Sequence, residues 1–379
     1  MKIAAAKEAA GERRVALTPQ VARRLVEAGH EVVVEPGLGD LAGLRDAAYV
    51  EAGAEAVAAP LQDAEMALVV GPPSAERARA LPEGAALIGF LDPFSPSDLI
   101  ETLRDRRITA FAVEAIPRTT LAQSMDALSS QATAAGYHAV LLAAAESPRI
   151  FPMLTTAAGT IPPVKALILG AGVAGLQAIA TARRLGAVVS AYDIRPEVRE
   201  QIESLGAKFV AAPVDETAAT SGGYAKEVAE ETKRLQQAAL SESVAEADVV
   251  ITTAQIPGRP APLLISADMV ELMGPGSVIV DVAAPTGGNC EVTRPGETVV
   301  HEGVRVVGPL DLAGNAAADA SQMYAKNLLS LIERLTDDEG GAAFDFDDEI
   351  ISGACVTHDG KVTHPITRRA LGLDDEEGS

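Results

Sequence analysis

Three glycines near the middle of the sequence have the spacing of a turn that binds phosphate groups. Residues 170–175 read Gly-Ala-Gly-Val-Ala-Gly, directly after the apolar run 166–169 and before a helix-compatible stretch. In such a turn Gly170 allows the tight bend, Gly172 lets the backbone approach a pyrophosphate, and Gly175 lets the helix pack on the strand. The N-terminus of the helix then faces the phosphates. The pattern therefore predicts a dinucleotide site.

An aspartate stands where the second strand of this unit would end. Asp193 follows the apolar run 188–191 and lies 23 positions after Gly170. A carboxylate at this place accepts hydrogen bonds from the adenosine ribose hydroxyls and repels a 2′-phosphate. NAD is therefore predicted over NADP, although Arg195, two residues later, weakens that preference.

The cysteine and histidine residues have no spacing that indicates a metal site or a disulfide framework. The two cysteines, Cys290 and Cys355, lack the paired spacing of a zinc site and cannot build a disulfide framework. No pair of the five histidines has metal-ligand spacing. We therefore predict no metal, and we expect both cysteines to be ordinary buried residues.

The composition narrows the class of protein. A formal net charge of −22 argues against nucleic acid or an anionic membrane surface as a direct ligand, because both would be repelled. Apolar residues make up 48% of the chain, but no apolar run approaches the ~20 residues that a membrane helix needs. The N-terminus also lacks the pattern of a secretory signal. These features predict a soluble, cytoplasmic protein without membrane insertion.

The surplus of acidic residues comes with few lysines. This combination is typical of halophilic proteins, whose hydrated acidic surface keeps them soluble in salt-rich cytoplasm. Residues 374–379, Asp-Asp-Glu-Glu-Gly-Ser, are expected to form a solvated tail. The alternative is an acidic mesophilic protein with a disordered tail.

Strand-like runs alternate with helical stretches from residue 2 to residue 116, and again from residue 165 to residue 307. Such alternation indicates α/β units with mainly parallel sheets. No glycine pattern follows the first strand, so the first unit is not expected to hold a dinucleotide by the usual loop. Alanine- and leucine-rich stretches at 121–145 and 316–335 are compatible with long bridging helices.

The predicted fold class is therefore α/β, with two Rossmann-like doubly wound domains, a cleft between them, and long helices that join them. Residues 1–128 plus 317–379 form the first domain, in which the C-terminal segment completes the N-terminal α/β domain. Residues 129–316 form the NAD(H)-binding Rossmann domain.

Five further stretches of the sequence carry a family resemblance. They are residues 12–19 (Glu-Arg-Arg-Val-Ala-Leu-Thr-Pro), 118–131 (Arg-Thr-Thr-Leu-Ala-Gln-Ser-Met-Asp-Ala-Leu-Ser-Ser-Gln), 155–160 with 177–183, 222–227 (Gly-Gly-Tyr-Ala-Lys-Glu) and 256–262 (Ile-Pro-Gly-Arg-Pro-Ala-Pro). Together they resemble the NAD(H)-binding alpha subunit, domain I, of proton-translocating NAD(P) transhydrogenase. The resemblance covers residue 1 to about residue 335.

Alanine dehydrogenase is a sister family with the same two-lobed fold, and the residues differ where its chemistry would lie. Its substrate lysine falls within 70–73, here Val-Gly-Pro-Pro, and its catalytic histidine within 89–92, here Gly-Phe-Leu-Asp. Its catalytic aspartate falls within 281–288, where the matching position is proline. A dehydrogenase of 2-amino acids needs a cation for the carboxylate and an acid/base for the amine. Only Arg14 remains, and alone it could be a surface or lobe-closing arginine.

The resemblance also implies roles for individual residues. A loop that orients the nicotinamide carboxamide and the neighbouring dinucleotide would contain Arg118, Gln123, Asp126 and Ser129. A mobile loop that closes over the nucleotide would contain Gly222, Gly223 and Tyr224, the glycines supplying backbone freedom. The NAD(H) pocket would be lined by Val173, Ile194, Arg195, Gly223, Gln236 and Gln255.

Each of the loop residues also has a purely structural interpretation. Asp126 precedes a helix and could be only its N-cap, with Arg118 merely paired to that carboxylate. Gln123 could be an exposed loop residue, and Tyr224 could be a loop anchor. Their joint occurrence in the family's order favours the functional interpretation.

The resemblance implies that NADH is presented for direct hydride transfer to NADP(H) held on a partner domain, which needs positioning more than acid/base groups. Proton movement would belong to membrane-spanning subunits, which would place the chain peripherally at the inner face of the cell membrane. The resemblance also implies a homodimer. Two alternatives stay open: an alanine dehydrogenase-like amino-acid dehydrogenase with a rearranged acid/base, and a non-catalytic NAD(H)-binding module.

Overall fold

The chain divides into two units. The first consists of Met1–Gln131 and Ala313–Ser379, and the second consists of Ala132–Leu312. A computed structural model describes residues 1–210, 237–256, 258–337 and 339–373. Among these residues, no helix is long and apolar enough to cross a membrane.

The strands and helices are short, apart from α5, α6 and α9. The strands are β1 (Lys2–Ala5), β2 (Glu31–Val34), β3 (Glu55–Ala56), β4 (Met66–Leu68), β5 (Ala86–Gly89), β6 (Thr109–Ala112), β7 (Leu154–Thr156), β8 (Gly159–Ile161), β9 (Lys165–Leu169), β10 (Val188–Tyr192), β11 (Lys208–Phe209), β12 (Val249–Thr252), β13 (Val278–Asp281), β14 (Thr298–His301), β15 (Val304–Val307), β16 (Cys355–His358) and β17 (Lys361–Val362). The α-helices are α1 (Pro19–Glu27), α2 (Asp46–Glu51), α3 (Ala75–Arg79), α4 (Asp98–Asp105), α5 (Ala127–Glu146), α6 (Val173–Arg184), α7 (Arg199–Ser204), α8 (Ala267–Glu271), α9 (Ala317–Arg334), α10 (Glu349–Ala354) and α11 (Pro365–Ala370). Residues 237–245 are also helical.

The first unit is built on a sheet with the order β17-β16-β6-β5-β4-β1-β2-β3 among the described residues. Strands β1 to β6 are parallel, and β16 joins β6 in the antiparallel direction. The order β3-β2-β1-β4-β5-β6 is that of a doubly wound Rossmann sheet, whose winding reverses between β1 and β4.

Both faces of this sheet are covered by apolar side chains. Ile3 and Ala5 pack into one core cluster, whereas Ala4, between them, packs into another. Leu328 and Ile332 of α9 belong to the first cluster. Strands buried on both faces read as continuous apolar runs rather than as alternating patterns, which explains the sequence of β1.

The second unit has the strand order β11-β10-β9-β12-β13-β15-β14, in which all neighbours are parallel except β14 and β15. Its winding reverses between β9 and β12. Ala166 and Ile168 face one core cluster, and Leu167 and Leu169 face the other. The predicted α/β class with two Rossmann-like units is confirmed.

The structure differs from the sequence-based expectation at the first bridging helix. The long helix expected over 121–145 begins at Ala127, because residues Thr120–Met125 form a 3₁₀ helix and Asp126 leaves the helical conformation (φ −72°, ψ 80°). Several short strands, among them β5, were also not predicted, since runs of two to four residues resemble many loops.

Glu8 joins the segments after β1 and β4 at the point where the winding of the first unit reverses. It follows β1 and accepts hydrogen bonds from the backbone N–H groups of Val70 (2.8 Å) and Gly71 (3.4 Å), which follow β4. Burial raises the pKa of Glu8 to about 7, against the opposing effect of these N–H donors. A doubly wound sheet binds ligands at this edge of its strands, where the Glu8 carboxylate takes two backbone donors.

Glu114 has the same role at the neighbouring strands of the sheet. It follows β6, and its Oε1 accepts hydrogen bonds from the N–H groups of Leu91 (2.9 Å) and Asp92 (2.7 Å), which follow β5. Its Oε2 is buried without a hydrogen-bond partner among the described residues. Burial raises the pKa of Glu114 to about 7, although both N–H groups favour the charged form.

We expect Glu114→Gln to stabilise the protein at high pH only. The folded pKa of about 7 lies above the ordinary value of 4.5, so the contribution of Glu114 to stability is present below pH ~4.5 and is lost as the pH rises through ~7. A shift of this size corresponds to about 3 kcal/mol. Urea unfolding of variant and wild type should show a gain of roughly 2–3 kcal/mol at pH 8.5 and little change at pH 5.

The matched control is Glu27→Gln, which changes an exposed glutamate on α1 of the same unit. It should leave the free energy of unfolding within ~0.5 kcal/mol of wild type at both pH values. If Glu114→Gln gives the same change at pH 5 as at pH 8.5, the carboxyl of Glu114 does not titrate in this range.

Candidate functional site

The predicted glycine turn lies where the winding of the second unit reverses. It follows β9 and leads into α6. Gly170 has φ +99°, a left-handed conformation that glycine adopts without strain. Thr253, which follows β12, donates its hydroxyl hydrogen to Gly170 O at 3.1 Å. The turn is therefore tied to both strands that flank the reversal.

The other two glycines of the turn differ in the space that a side chain would have at their positions. A Cβ at residue 175 would lie 1.8 Å from Gly170 O, so α6 reaches the strand only because Gly175 has no side chain. A Cβ at Gly172 would meet nothing within 4 Å, and the backbone of Gly172 (φ −77°, ψ −170°) suits any residue. Local packing does not require a glycine at 172, whereas close approach of a phosphate does.

Helix α5 supports the turn from behind. A Cβ at Gly136 would lie 2.1 Å from Ala174 O, so the first turn of α6 rests directly on the backbone of α5. The N-cap residue of α6 is Gly172, which has no side chain to cap the helix. The first N–H groups of α6 are thereby left to an anion.

Asp193 lies beside the turn with only 7% of its side chain exposed. Its Oδ2 accepts a hydrogen bond from Ala171 N–H (2.7 Å), and its Oδ1 accepts one from Arg195 N–H (2.9 Å). The Arg195 guanidinium donates two more bonds of 3.0 Å each. Burial opposes ionisation of Asp193, but these donors outweigh it and hold its pKa below the usual value.

Two apolar side chains next to the turn are exposed. Val173 is 42% exposed and Ile194 is 71% exposed, which leaves apolar surface beside the helix N-terminus for a flat ring. Gln255 lies exposed in the segment after β12 and donates from Nε2 to Val282 O (3.2 Å). The predicted pocket residues that the structure describes therefore lie on the strand ends and loops around one turn.

Four residues of the predicted mobile loop and pocket lie outside the described residues. They are Gly222, Gly223, Tyr224 and Gln236. Their roles stay predictions.

Asp281 organises the loops around the turn, and sequence reasoning missed it. It ends β13, is fully buried, and accepts five hydrogen bonds of 2.7–3.1 Å. The donors are the hydroxyls of Thr252 and Thr293 and the N–H groups of Ala283, Asn289 and Cys290. The signal in the sequence was an aspartate at the end of the apolar run 278–281, beside a strand that ends in threonine.

Asn289 extends this bracing to the segment that carries Gln255. Its Oδ1 accepts a hydrogen bond from Ala254 N–H (3.0 Å), and its Nδ2 donates to Ala254 O and Pro262 O (both 2.8 Å). The neighbouring Cys290 is buried, and burial raises the pKa of its thiol to about 11. This cysteine is therefore unreactive as a nucleophile at neutral pH.

The first unit holds a second group of predicted residues around a pocket of about 270 Å³. The pocket lies in the loop between β6 and α5, and its lining includes Arg118, Gln123 and Asp126. Arg118 and Gln123 are exposed, and no hydrogen bond or ion pair joins either side chain to the described residues. Both side chains are therefore free to contact a ligand.

Asp126 has the capping role that its position before α5 allowed. Its Oδ1 accepts a hydrogen bond from Ser129 N–H (2.9 Å), and its Oδ2 accepts one from the Ser129 hydroxyl (2.6 Å). The alternative pairing of Arg118 with this carboxylate is not observed. Asp126 thus caps α5 and lines the pocket at the same time, and Ser129 holds its carboxylate in place.

Arg14 is not a surface residue, since only 13% of its side chain is exposed. Glu12 binds its Nε and Nη2 at 2.8 and 2.6 Å, and Nη1 donates to Gln131 Oε1 at 3.0 Å. Glu12 and Gln131 thus hold the guanidinium of Arg14 in place.

Comparison with known proteins identifies relatives over nearly the whole chain. Residues 4–135 match the family model "Alanine dehydrogenase/PNT, N-terminal domain", and residues 139–365 match "Alanine dehydrogenase/PNT, C-terminal domain". An NAD(P) transhydrogenase alpha subunit of Rhodospirillum rubrum is 47% identical over 377 residues, which is 96% of this chain and 98% of that protein.

Solved structures are also similar to this chain over nearly its whole length. A transhydrogenase from Sinorhizobium meliloti has a TM-score of 0.88 at 44% identity and covers 96% of this chain and 100% of its own. An L-alanine dehydrogenase has a TM-score of 0.83 at 29% identity, covering 98% and 99%. The transhydrogenases are therefore nearer to this chain than the alanine dehydrogenase.

Alanine substitutions at two glycines of the turn should affect different properties: NADH binding at Gly172 and stability at Gly175. Gly172→Ala should leave the melting temperature unchanged but weaken NADH binding at least ~10-fold, because its Cβ meets only the space that a phosphate would use. Gly175→Ala should lower stability by roughly 1–3 kcal/mol or more, since its Cβ overlaps Gly170 O. Thermal unfolding and titration calorimetry measure the two effects, and a Gly172→Ala protein that binds NADH as wild type does would contradict the phosphate assignment.

Proposed function

Since the chain belongs to the alanine dehydrogenase/PNT family, we propose that it is the NAD(H)-binding subunit of a proton-translocating NAD(P)⁺ transhydrogenase. It presents NADH for direct hydride transfer to NADP⁺ held on a partner domain. The observation that carries this proposal is that Arg118 and Gln123 line a pocket and form no side-chain hydrogen bond or ion pair with the described residues. Segments 70–73 and 89–92 offer neither lysine nor histidine, and the N–H groups of Val70 and Leu91 within them are bonded to Glu8 and Glu114.

The residues of the second unit fit NAD(H). The open face of Gly172 and the uncapped start of α6 suit a pyrophosphate. The ionised carboxylate of Asp193 suits the ribose hydroxyls, which would replace bonds that the Arg195 guanidinium makes to it. The exposed side chains of Val173 and Ile194 suit the adenine ring. When bound, NADH supplies the hydride from its nicotinamide ring.

The Asp193–Arg195 pair supports a preference for NAD over NADP. A 2′-phosphate at the ribose would meet the negative charge of Asp193 in a place where the carboxylate is almost fully buried. Arg195, which could otherwise attract that phosphate, already gives its Nε and Nη2 to Asp193. Only its remaining N–H groups are left for a phosphate, and its charge is already paired with the carboxylate.

In the proposed reaction, side chains of the first unit position the nicotinamide ring and do not transfer protons. Arg118 and Gln123 orient the nicotinamide carboxamide, and the capped carboxylate of Asp126 fixes the wall of the pocket together with Ser129. A hydride moves between two rings when the reacting carbons lie about 3–3.5 Å apart, so a small displacement is costly.

The proposed partners are membrane-spanning transhydrogenase subunits and an NADP(H)-binding domain, which place the chain peripherally at the inner face of the cell membrane. The R. rubrum relative is named as an alpha subunit, which supports the presence of further subunits. The strongly acidic composition supports a salt-rich cytoplasm.

We also infer a homodimer. Strands β7 and β8 pair only with each other among the described residues, and all their residues are exposed. Met153, Leu154 and Ile161 expose apolar side chains there. An isolated two-stranded hairpin is marginally stable in water, so a second copy of the chain is the proposed support.

We expect Gln123→Asn to spare binding and slow transfer. The shorter side chain withdraws its amide from the pocket but leaves the glycine turn and Asp193 untouched, so NADH should bind nearly as tightly as to wild type. With a transhydrogenase NADP-binding domain, stopped-flow hydride transfer should be at least ~10-fold slower, a barrier change of about 1.4 kcal/mol.

The control is Gln62→Asn, which shortens an exposed glutamine of the same unit outside this pocket. It should transfer hydride at the wild-type rate. Equal rates for Gln123→Asn and wild type would remove Gln123 from the reaction. Binding of NADH without any transfer by wild type would favour the non-catalytic module, and NAD⁺ reduction by alanine would favour the amino-acid dehydrogenase.

A further inference from the structure

The loop that carries Arg118, Gln123 and Asp126 needs support from outside itself. Most of it is the 3₁₀ helix Thr120–Met125, and 3₁₀ turns are weakly bonded and short. Ala122 and Met125 are buried in the core cluster of the first unit. These apolar contacts hold the loop on the sheet but leave the direction of its carbonyls open, because they are not directional.

Asn327 of α9 supplies a directional contact to this loop. Its Nδ2 donates to Ser124 O at 2.8 Å, and its Oδ1 accepts the hydroxyl hydrogen of Ser130 at 2.7 Å. Ser124 is the residue directly after Gln123, and Ser130 lies in the first turn of α5, after Asp126. One side chain therefore bonds to the backbone before Asp126 and to the Ser130 hydroxyl after it.

A buried chain of hydrogen bonds fixes the far side of this contact. Ser130 Oγ accepts a bond from Gln131 Nε2 (3.2 Å), which also donates to Ala320 O (3.0 Å). Gln131 Oε1 accepts the bond from Arg14, whose guanidinium is held by Glu12. The arginine shared with the amino-acid dehydrogenases thus stands at the end of a network that reaches the loop.

We propose that Asn327 is a positioning residue for hydride transfer, which sets the backbone next to Gln123 and so the place of the Gln123 amide in the pocket. This proposal rests on the proposed function of the chain. Asn327 lies 203 positions from Ser124 in the sequence, and its bonds to Ser124 and Ser130 lie within the first unit. Its loss should therefore affect the transfer rate and not the binding of NADH.

The test is Asn327→Asp, which has the same shape. The new side chain keeps an acceptor for Ser130 but places a carboxylate oxygen against Ser124 O, where the amide donated a bond. At pH 8 the variant should bind NADH within ~2-fold of wild type by calorimetry. With an NADP-binding domain and saturating nucleotides it should transfer hydride at least ~5-fold more slowly.

The pH profile separates positioning from a general structural defect. When the introduced carboxyl is protonated it can donate to Ser124 O again, so the ratio of variant to wild-type rates should rise towards one as the pH falls from 8 towards the ordinary aspartate pKa of ~3.9. Arg14 and Glu12 lie at the other end of the network, and the carboxylate of Asp126 faces Ser129; variant and wild type share these groups, so their titration cancels in the ratio.

Gln322→Glu is the matched control, since it makes the same amide-to-carboxyl change on α9 at a residue that bonds to Gln20 instead of the loop. It should transfer hydride at the wild-type rate. Should Asn327→Asp fail to fold, Asn327→Ala and Ser130→Ala replace it: the first removes the donor to Ser124 O and should slow transfer, while the second keeps that donor and should have the smaller effect.

Wild-type rates for Asn327→Asp or Asn327→Ala at saturating nucleotides would overturn the positioning role. A matching loss of NADH affinity would overturn it too, because it would mark a general defect. Absence of transfer by the wild-type protein would instead reject the proposed function, and the two failures are thereby distinguished.

Discussion

Backbone N–H groups just beyond the carboxyl ends of parallel strands need hydrogen-bond partners, and the two sheets of this chain provide them differently. In the first unit, Glu8 and Glu114 accept the N–H groups after β4 and β5. In the second unit, Asp193 accepts the N–H groups of Ala171 and Arg195, whereas the start of α6 has no capping side chain. The same winding order thus leaves the start of a helix open to a phosphate in the second unit.

Most of what could be predicted from the sequence came from patterns among residues that lie near one another in the chain. The glycine turn and Asp193 lie within 24 residues of each other, and each strand-helix alternation is read from neighbouring residues. Two of the groups that sequence reasoning missed act across long separations: Asn327 binds Ser124 and Glu8 binds Val70, 203 and 62 positions away. A single sequence contains no periodicity that pairs such residues, because their meeting depends on the completed sheet.

Asp126 shows why the structural and functional interpretations of a residue need not compete. Capping α5 uses both carboxylate oxygens on Ser129, and the cap is what keeps the carboxylate still at the wall of the pocket. A side chain whose position is fixed by a helix end offers a more exact surface to a ligand than one in a free loop. The same argument applies to Asp193, whose bonds to Ala171 and Arg195 fix it before any ribose arrives.

The division of the chain also bears on its synthesis at the ribosome. The second unit is one continuous segment, Ala132–Leu312, whereas the first takes α9, β16 and β17 from residues beyond 312. Domains fold as units while the chain emerges, so the nucleotide-binding unit can acquire its structure first. Until Cys355–His358 are synthesised, β6 has no partner on the side that β16 covers in the finished protein. Unpaired strand edges invite aggregation, so this side of β6 is exposed to that risk only during synthesis.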